Sequence, residues 1–439
     1  MSPDWDMRAS RNILKGTHMS IYPNMVKIRQ HFARPSLNDL PGAVRKEMGK
    51  VLSRVTAGQT VGITVGSRGI QNLLLILEAA IACVREKGAT PVLLSAMGSH
   101  GGGTSAGQKE VLDSLGITEE RLGAKVIIRD EGREIGTTST GLTAYMLEHA
   151  WEVDAIIPIN RIKTHTSFKG DLESGLLKKL VVGLGGPPGA AQFHNMGKSE
   201  LLSPMLMDIG RIILAKMPVI GGIAIIENGY EETAKIVAVQ PDEMIEAERE
   251  LLLYSKELMP SLPAARIDGL VVEEMGKNYS GTGVDSNIIG RVRIQGEPDV
   301  PPPLIRYVSV LDLSESSHGN ATGVGLADFV TRKLVDKIDR KATYLNCLTT
   351  TFVTRAFIPL YFDTEKETLA TMMHCLRQTP RDELRLVFIP NTLFLNECYV
   401  SEAIAGELTD KERFEICGAP VPVEFDGDGR LTLRLLHAS

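Results

Sequence analysis

Short β-branched runs alternate with amphipathic stretches along a chain long enough for more than one core. This predicts an α/β fold of two domains, each a largely parallel sheet covered by helices, with the active-site cleft between them. In order, strands are expected over 60–65 and 91–95, at 125–129, 155–159 and 222–226, each a compact apolar run. Helices with one apolar face are expected over 71–87, 105–115, 199–216 and 242–258. A second unit begins near Arg266, after the prolines at 260 and 263. It has strands over 269–272, 307–310 and 385–389, and helices over 325–338 and 366–377. The division is therefore an extension over 1–20, a catalytic domain over 21–265 and a closing domain over 266–439.

Composition narrows the class. A net charge of −6 without a basic block argues against a nucleic-acid partner. The apolar run 73–84 carries Glu78 and is too short to cross a bilayer, so no membrane is expected. The first 20 residues, polar and mixed in charge, have no apolar run of signal-peptide length. Five scattered cysteines with no Cys-x-x-Cys argue against a disulfide framework or a zinc ribbon. A cytoplasmic protein fits all of this.

In parallel α/β sheets chemistry collects beyond the carboxyl ends of the strands. Ser67-Arg68-Gly69 follows the first catalytic-domain strand and Gly98-Ser99-His100-Gly101 the second. Lys163-Thr164-His165-Thr166 follows the 155–159 run. An imidazole is an acid or base near neutral pH, and two of them flanking one carbon suit inversion from both faces. Ser174-Gly175-Leu176-Leu177-Lys178-Lys179 opens an apolar stretch in which one lysine must approach the apolar side, either snorkelling or serving as a desolvated amine. Gly183-Leu184-Gly185-Gly186-Pro187-Pro188 lacks the ending of a P-loop and the spacing of a dinucleotide fingerprint, although its backbone remains open to a phosphate. His194 stands alone beside Phe193, with no zinc-type spacing to a second ligand. Polar loops at Glu274–Asn287 and Ser316–Asn320, carrying Lys277 and His318, read equally as substrate contacts or as turns. His31, His149, His374 and His437 have no such context and are taken as structural.

In this order, strand-end Arg68, the His100 loop, the His165 loop, Ser174-Gly175-x-x-Lys178 and distal His194 resemble the nickel-pincer-nucleotide lactate racemase superfamily. The Lys-to-His separation of sixteen residues agrees with the family pattern, and the likeness covers roughly residues 60–199. The resemblance implies a racemase or epimerase inverting C2 of a 2-hydroxy acid. It makes His100 and His165 the acid/base pair and Lys178 the covalent anchor of the nucleotide. His194 becomes the nickel ligand, with Gly183 and Gly185 near the cofactor. Arg68, Glu274, Lys277 and His318 then contact the substrate. Neutral imidazole suits the remaining in-plane position of a square-planar metal. Val65 and Glu274 stand where the family carries Asp and Gln, so lactate and a bulkier aldonic acid are both open as substrates. Cofactor-synthesis proteins are implied as partners. Two other readings stay open: a nicotinamide-dependent hydroxy-acid dehydrogenase, and a non-catalytic binder of the cofactor or of a sugar acid.

Overall fold

The computed structural model of the chain describes residues 21–67, 69–195 and 199–436. The extension over 1–20, Arg68 and His437 lie outside the described residues. The first strand, β1 (Met25–Gln30), belongs to a sheet built otherwise from the far end of the chain. The Leu40–Val51 helix follows, with Pro41 in its first turn and the Asp39 carboxylate accepting from the Gly42 amide at 2.9 Å.

Strands β2 (Thr60–Val65), β3 (Thr90–Ser95) and β4 (Lys125–Ile127) come next. A hairpin of β5 (Gly132–Thr137) and β6 (Thr143–Leu147) precedes β7 (Ala155–Ile157). The sheet β4-β3-β2-β7 is parallel throughout. Its strands are apolar on both faces because both are covered. Leu93, Ile157 and Val61 pack against the Leu73–Glu86 helix, with Ile76, Leu77 and Ala80. On the other face Val92, Leu94 and Ile156 meet Met146, Leu176, Leu177 and Leu206. Two cores thus share one sheet by the period-2 alternation of its side chains.

The single strand expected over 155–159 breaks at Pro158. Proline has no amide to donate, so the ladder of β7 stops there. The chain then steps into a second sheet as β8 (Ile159–Arg161), parallel to β9 (Gly222–Glu227). Strand β10 (Thr233–Val239) completes it, antiparallel to β9. The Ile159 amide donates to Thr64 Oγ1 at 3.2 Å, stitching the two sheets where their strands end.

The remaining strands are β11 (Arg266–Val272), β12 (Leu304–Val310), β13 (Phe329–Thr331), β14 (Leu360–Phe362), β15 (Leu386–Ile389), β16 (Glu397–Ser401) and β17 (Phe414–Ile416). The order is β14-β13-β12-β11-β15-β16-β1-β17, parallel through β15 and antiparallel beyond it. Residues 25–30, read from the sequence with the first domain, therefore supply a strand to this later sheet. The helix expected over 325–338 is replaced by a turn at Val324–Leu326, β13 and a short Arg332–Asp336 helix. Phe329-Val330-Thr331 has the aromatic and β-branched character of a strand and pairs beside Val310. Among the described residues no helix is long and apolar enough to cross a membrane.

Candidate active site

Loops leaving β2, β3 and β8 at their carboxyl ends meet around one cavity of about 600 Å³. The opposite wall comes from the later half of the chain, through Lys277–Thr282, Asp285, Asn346 and Arg355. His100, His165, Lys178, Gly183, His194 and Lys277 all line it, as does Val65.

Two glycines let the floor close. Gly98 has φ +59°, and its amide donates to the Gly183 carbonyl at 3.1 Å. A Cβ on Gly183 would lie 2.7 Å from the Ala96 carbonyl oxygen. Backbones this close admit no side chain. The loop then delivers His100, whose Nδ1 meets the Ser67 hydroxyl from the neighbouring strand end.

His165 is fixed by its own loop. Its amide donates to Glu173 Oε2 at 2.6 Å, and its Nδ1 accepts the Ser167 amide at 3.1 Å. That bond leaves the ring hydrogen on Nε2 in the neutral form. Burial and then the charge of Lys178 hold the imidazole well below its usual pKa.

Lys178, His165 and His194 form one aromatic-lined cluster. The His165 ring lies 4.4 Å from that of Phe168, Phe168 lies 5.6 Å from Phe193, and Phe193 lies 5.5 Å from His194. The Lys178 Nζ sits 5.4 Å from both phenylalanine rings. Burial, with help from Lys178, pushes His194 down to about 4, so its ring is uncharged at neutral pH. The backbone that arranges this is a short Leu176–Lys178 helix, a π-type turn over Lys179–Gly183 and the Gly186–His194 helix. Single π turns recur where a helix must re-aim side chains.

Four groups were given no role of their own by the sequence. The Lys179 amine is pushed down to about 8 by burial and has no hydrogen-bond or ion-pair partner among the described residues. Arg161 pairs with buried Glu227 and lies 3.6 Å from Glu231. Lys163 is held below its usual pKa by Arg161 and then by burial. Arg355, only 2% exposed, enters from the opposite wall. The legible signal was the repeat of cations at 161 and 163, two apart and so on one side of an extended chain.

Three expected contacts fall elsewhere. Glu274 does not line the cavity; its carboxylate accepts from the Tyr279 hydroxyl at 2.5 Å, and it is Tyr279 that faces inward. His318 is exposed, outside the lining, in a left-handed turn with φ +46°. Gly185 is also absent from the lining, packed over the Val181 carbonyl. Lys277 remains, with Nζ donating to the Gly281 carbonyl at 2.7 Å and to Asn346 Oδ1 at 2.5 Å. Among the described residues no group of three or more His, Cys, Asp or Glu side chains is placed to hold a metal.

Two comparisons bear on this arrangement. Residues 73–245 match a domain of unknown function, DUF362. The fold is similar to that of the lactate racemase apoprotein from Thermoanaerobacterium thermosaccharolyticum, with TM-score 0.50 and 11% identity, over 84% of this chain and 98% of that one. At that identity the likeness concerns the fold. No curated protein matches by sequence.

The cluster rests on a buried carboxyl. Glu248, from the Met244–Glu257 helix, accepts the Leu177 amide at 2.6 Å and caps the helix bearing Lys178. Burial raises its pKa to about 8. The folded state therefore holds a proton that the unfolded chain releases near 4.5. The stabilisation is complete below that value and is lost progressively as pH rises toward about 8. Glu248→Gln, which keeps an acceptor but no titration, is expected to flatten the fall in Tm between pH 5 and pH 8. Identical Tm profiles for the two proteins would place the titration elsewhere.

Proposed function

We propose that the protein is a racemase or epimerase of a 2-hydroxy acid, acting with a nickel-pincer nucleotide in the cytoplasm. The observation that carries this reading is the cluster of His165, Lys178 and His194 on Phe168 and Phe193, facing a cavity that His100 also lines. The residues fit the group on chemical grounds. Lys178 offers an amine at the cavity wall for covalent attachment, and His194 offers an uncharged imidazole, the form that binds a metal. When bound, the nucleotide supplies a two-electron acceptor and donor for the carbon that inverts.

The chain's own residues handle the oxygen and the carboxylate. His100 and His165 move or hold the proton at the C2 hydroxyl. Lys277 presents an ammonium to the carboxylate from the far wall. Phe168 and Phe193 give this side of the cluster an apolar wall, which would limit the access of water to the carbon that inverts. Lactate and an aldonic acid both meet these requirements. Loading depends on cofactor-synthesis proteins of the host.

The test is intact mass and metal content of protein made in a host that produces the nucleotide. Wild type should carry a nucleotide-sized adduct with nickel. Lys178→Ala should lose both, and His194→Ala should keep the adduct while losing nickel. An adduct that survives in Lys178→Ala, or a wild type with neither adduct nor nickel, would overturn the reading.

A further inference from the structure

We infer that Arg355 is the carboxylate reader of this cavity, binding the acid group of a 2-hydroxy acid through the two N–H groups that its bonds to the protein leave over. The inference rests on the proposed hydroxy-acid reading and names a residue for it from the opposite half of the chain.

Arg355 sits in a short turn, Val353–Ala356, and is almost wholly buried at 2% exposure while lining the cavity. Its hydrogen bonds all go to neutral oxygens. Nε donates to the Val292 carbonyl at 3.0 Å, one terminal nitrogen to Ser167 Oγ at 2.8 Å, and the other to the Thr166 carbonyl at 2.8 Å. A guanidinium carries five N–H groups, so two remain. No carboxylate among the described residues lies within ion-pair distance of it. Asp285, the carboxylate whose charge reaches it, accepts from the Ser280 hydroxyl at 3.2 Å and from the Asn287 amide at 2.9 Å. A buried cation held only by neutral dipoles is unfavourable until an anion joins it. The planar fork of arginine matches a carboxylate.

Position selects which anion. Thr166 and Ser167 directly follow His165, and the His165 ring senses the Arg355 charge. In a 2-hydroxy acid the carboxylate is bonded to the carbon that bears the hydroxyl. A reader of one must therefore stand beside the reader of the other. Lys277 belongs to the same wall: Cys347 lies within the electrostatic reach of both Lys277 and Arg355. The pair would hold the acid while the histidines address its hydroxyl.

The experiment uses the full chain made without the nucleotide, so that its outcome is independent of cofactor loading. Lactate and gluconate are titrated calorimetrically, with lactamide as the uncharged control and inorganic phosphate as competitor. Wild type should bind at least one of the two acids at least tenfold more tightly than lactamide. Arg355→Lys, which keeps the charge and the fold but loses the fork, should bind that acid at least tenfold more weakly with lactamide binding unchanged. Unaltered acid binding in Arg355→Lys would overturn the inference. So would wild type that binds neither acid, or that binds phosphate in their place. If Arg355→Lys behaves as expected while Lys178→Ala keeps its adduct, the carboxylate site stands and the cofactor assignment falls. The reverse pattern would remove Arg355 alone.

Discussion

His165→Asn is expected to lower kcat/KM for inversion by roughly 10²–10⁴-fold, with His100→Asn in the same range, the span typical of a lost proton-transfer group. Asparagine is chosen at 165 because its carbonyl can replace Nδ1 as acceptor for the Ser167 amide, which now donates at 3.1 Å. The loop should therefore keep its shape, and the proposed adduct on Lys178 should form as in the wild type. Free energies of reactant and product fix the ratio of kcat/KM in the two directions. Each variant must consequently slow both directions by one common factor, whichever histidine serves which face. The two histidines differ in their starting state. His165 is half-buried, neutral and holds its hydrogen on Nε2, whereas the exposed His100 meets a hydroxyl through Nδ1. Enantiopure substrate followed by chiral chromatography in each direction gives the measurement. Near-normal turnover in either variant would remove that histidine from proton transfer.

Much of the first half of the chain was legible because buried parallel strands read as continuous apolar runs and their ends read as glycine-rich polar loops. His100 and His165 were found that way. Other features depend on partners far away in sequence. Strand β1 joins Cys398 and Glu397 through Ile28 and Arg29, a pairing that no local pattern encodes. The break at Pro158 becomes visible only when β9 offers the alternative ladder. Arg355 is bonded to Ser167 across 188 positions of chain. Glu274 and His318 were drawn from polar, glycine-spaced loops, where turn chemistry and site chemistry use the same residues. In the fold Tyr279 occupies the Glu274 carboxylate, and the left-handed backbone at His318 carries that ring to solvent. Lys178 and Lys179 could not be separated by hydrophobic period, since both reach the cavity at a π turn that departs from regular helix spacing.

Arg161→Met is expected to destabilise the fold by about 3–5 kcal/mol, the cost of leaving one member of a buried ion pair behind. At about 1 °C per kcal/mol for a chain of 439 residues the melting temperature should fall by roughly 3–5 °C. Arg161 ends β8, and its partner Glu227 ends β9, so the pair locks the sheet that carries His165 toward the cavity. The side chains are 15% and 4% exposed, too little for water to replace the lost partner. With Arg161 gone, Glu227 keeps, among the described residues, only the Gln71 amide, which donates at 2.8 Å, and Glu231 loses the nearby charge that opposes its own burial penalty. Lys163 gains in the same change, because Arg161 is the main influence holding its pKa down. It can therefore offset part of the loss by drawing toward Glu227 and Glu231. The double variant Arg161→Met with Glu227→Leu separates the ion pair from the packing. Removing both charges leaves an apolar contact of similar volume, and such replacements are often neutral or stabilising. The double variant should melt near the wild-type temperature, well above Arg161→Met. If instead it melts at the temperature of the single variant, the loss lies in packing at the end of β8, and the Arg161–Glu227 charges contribute nothing to holding the cavity's second sheet.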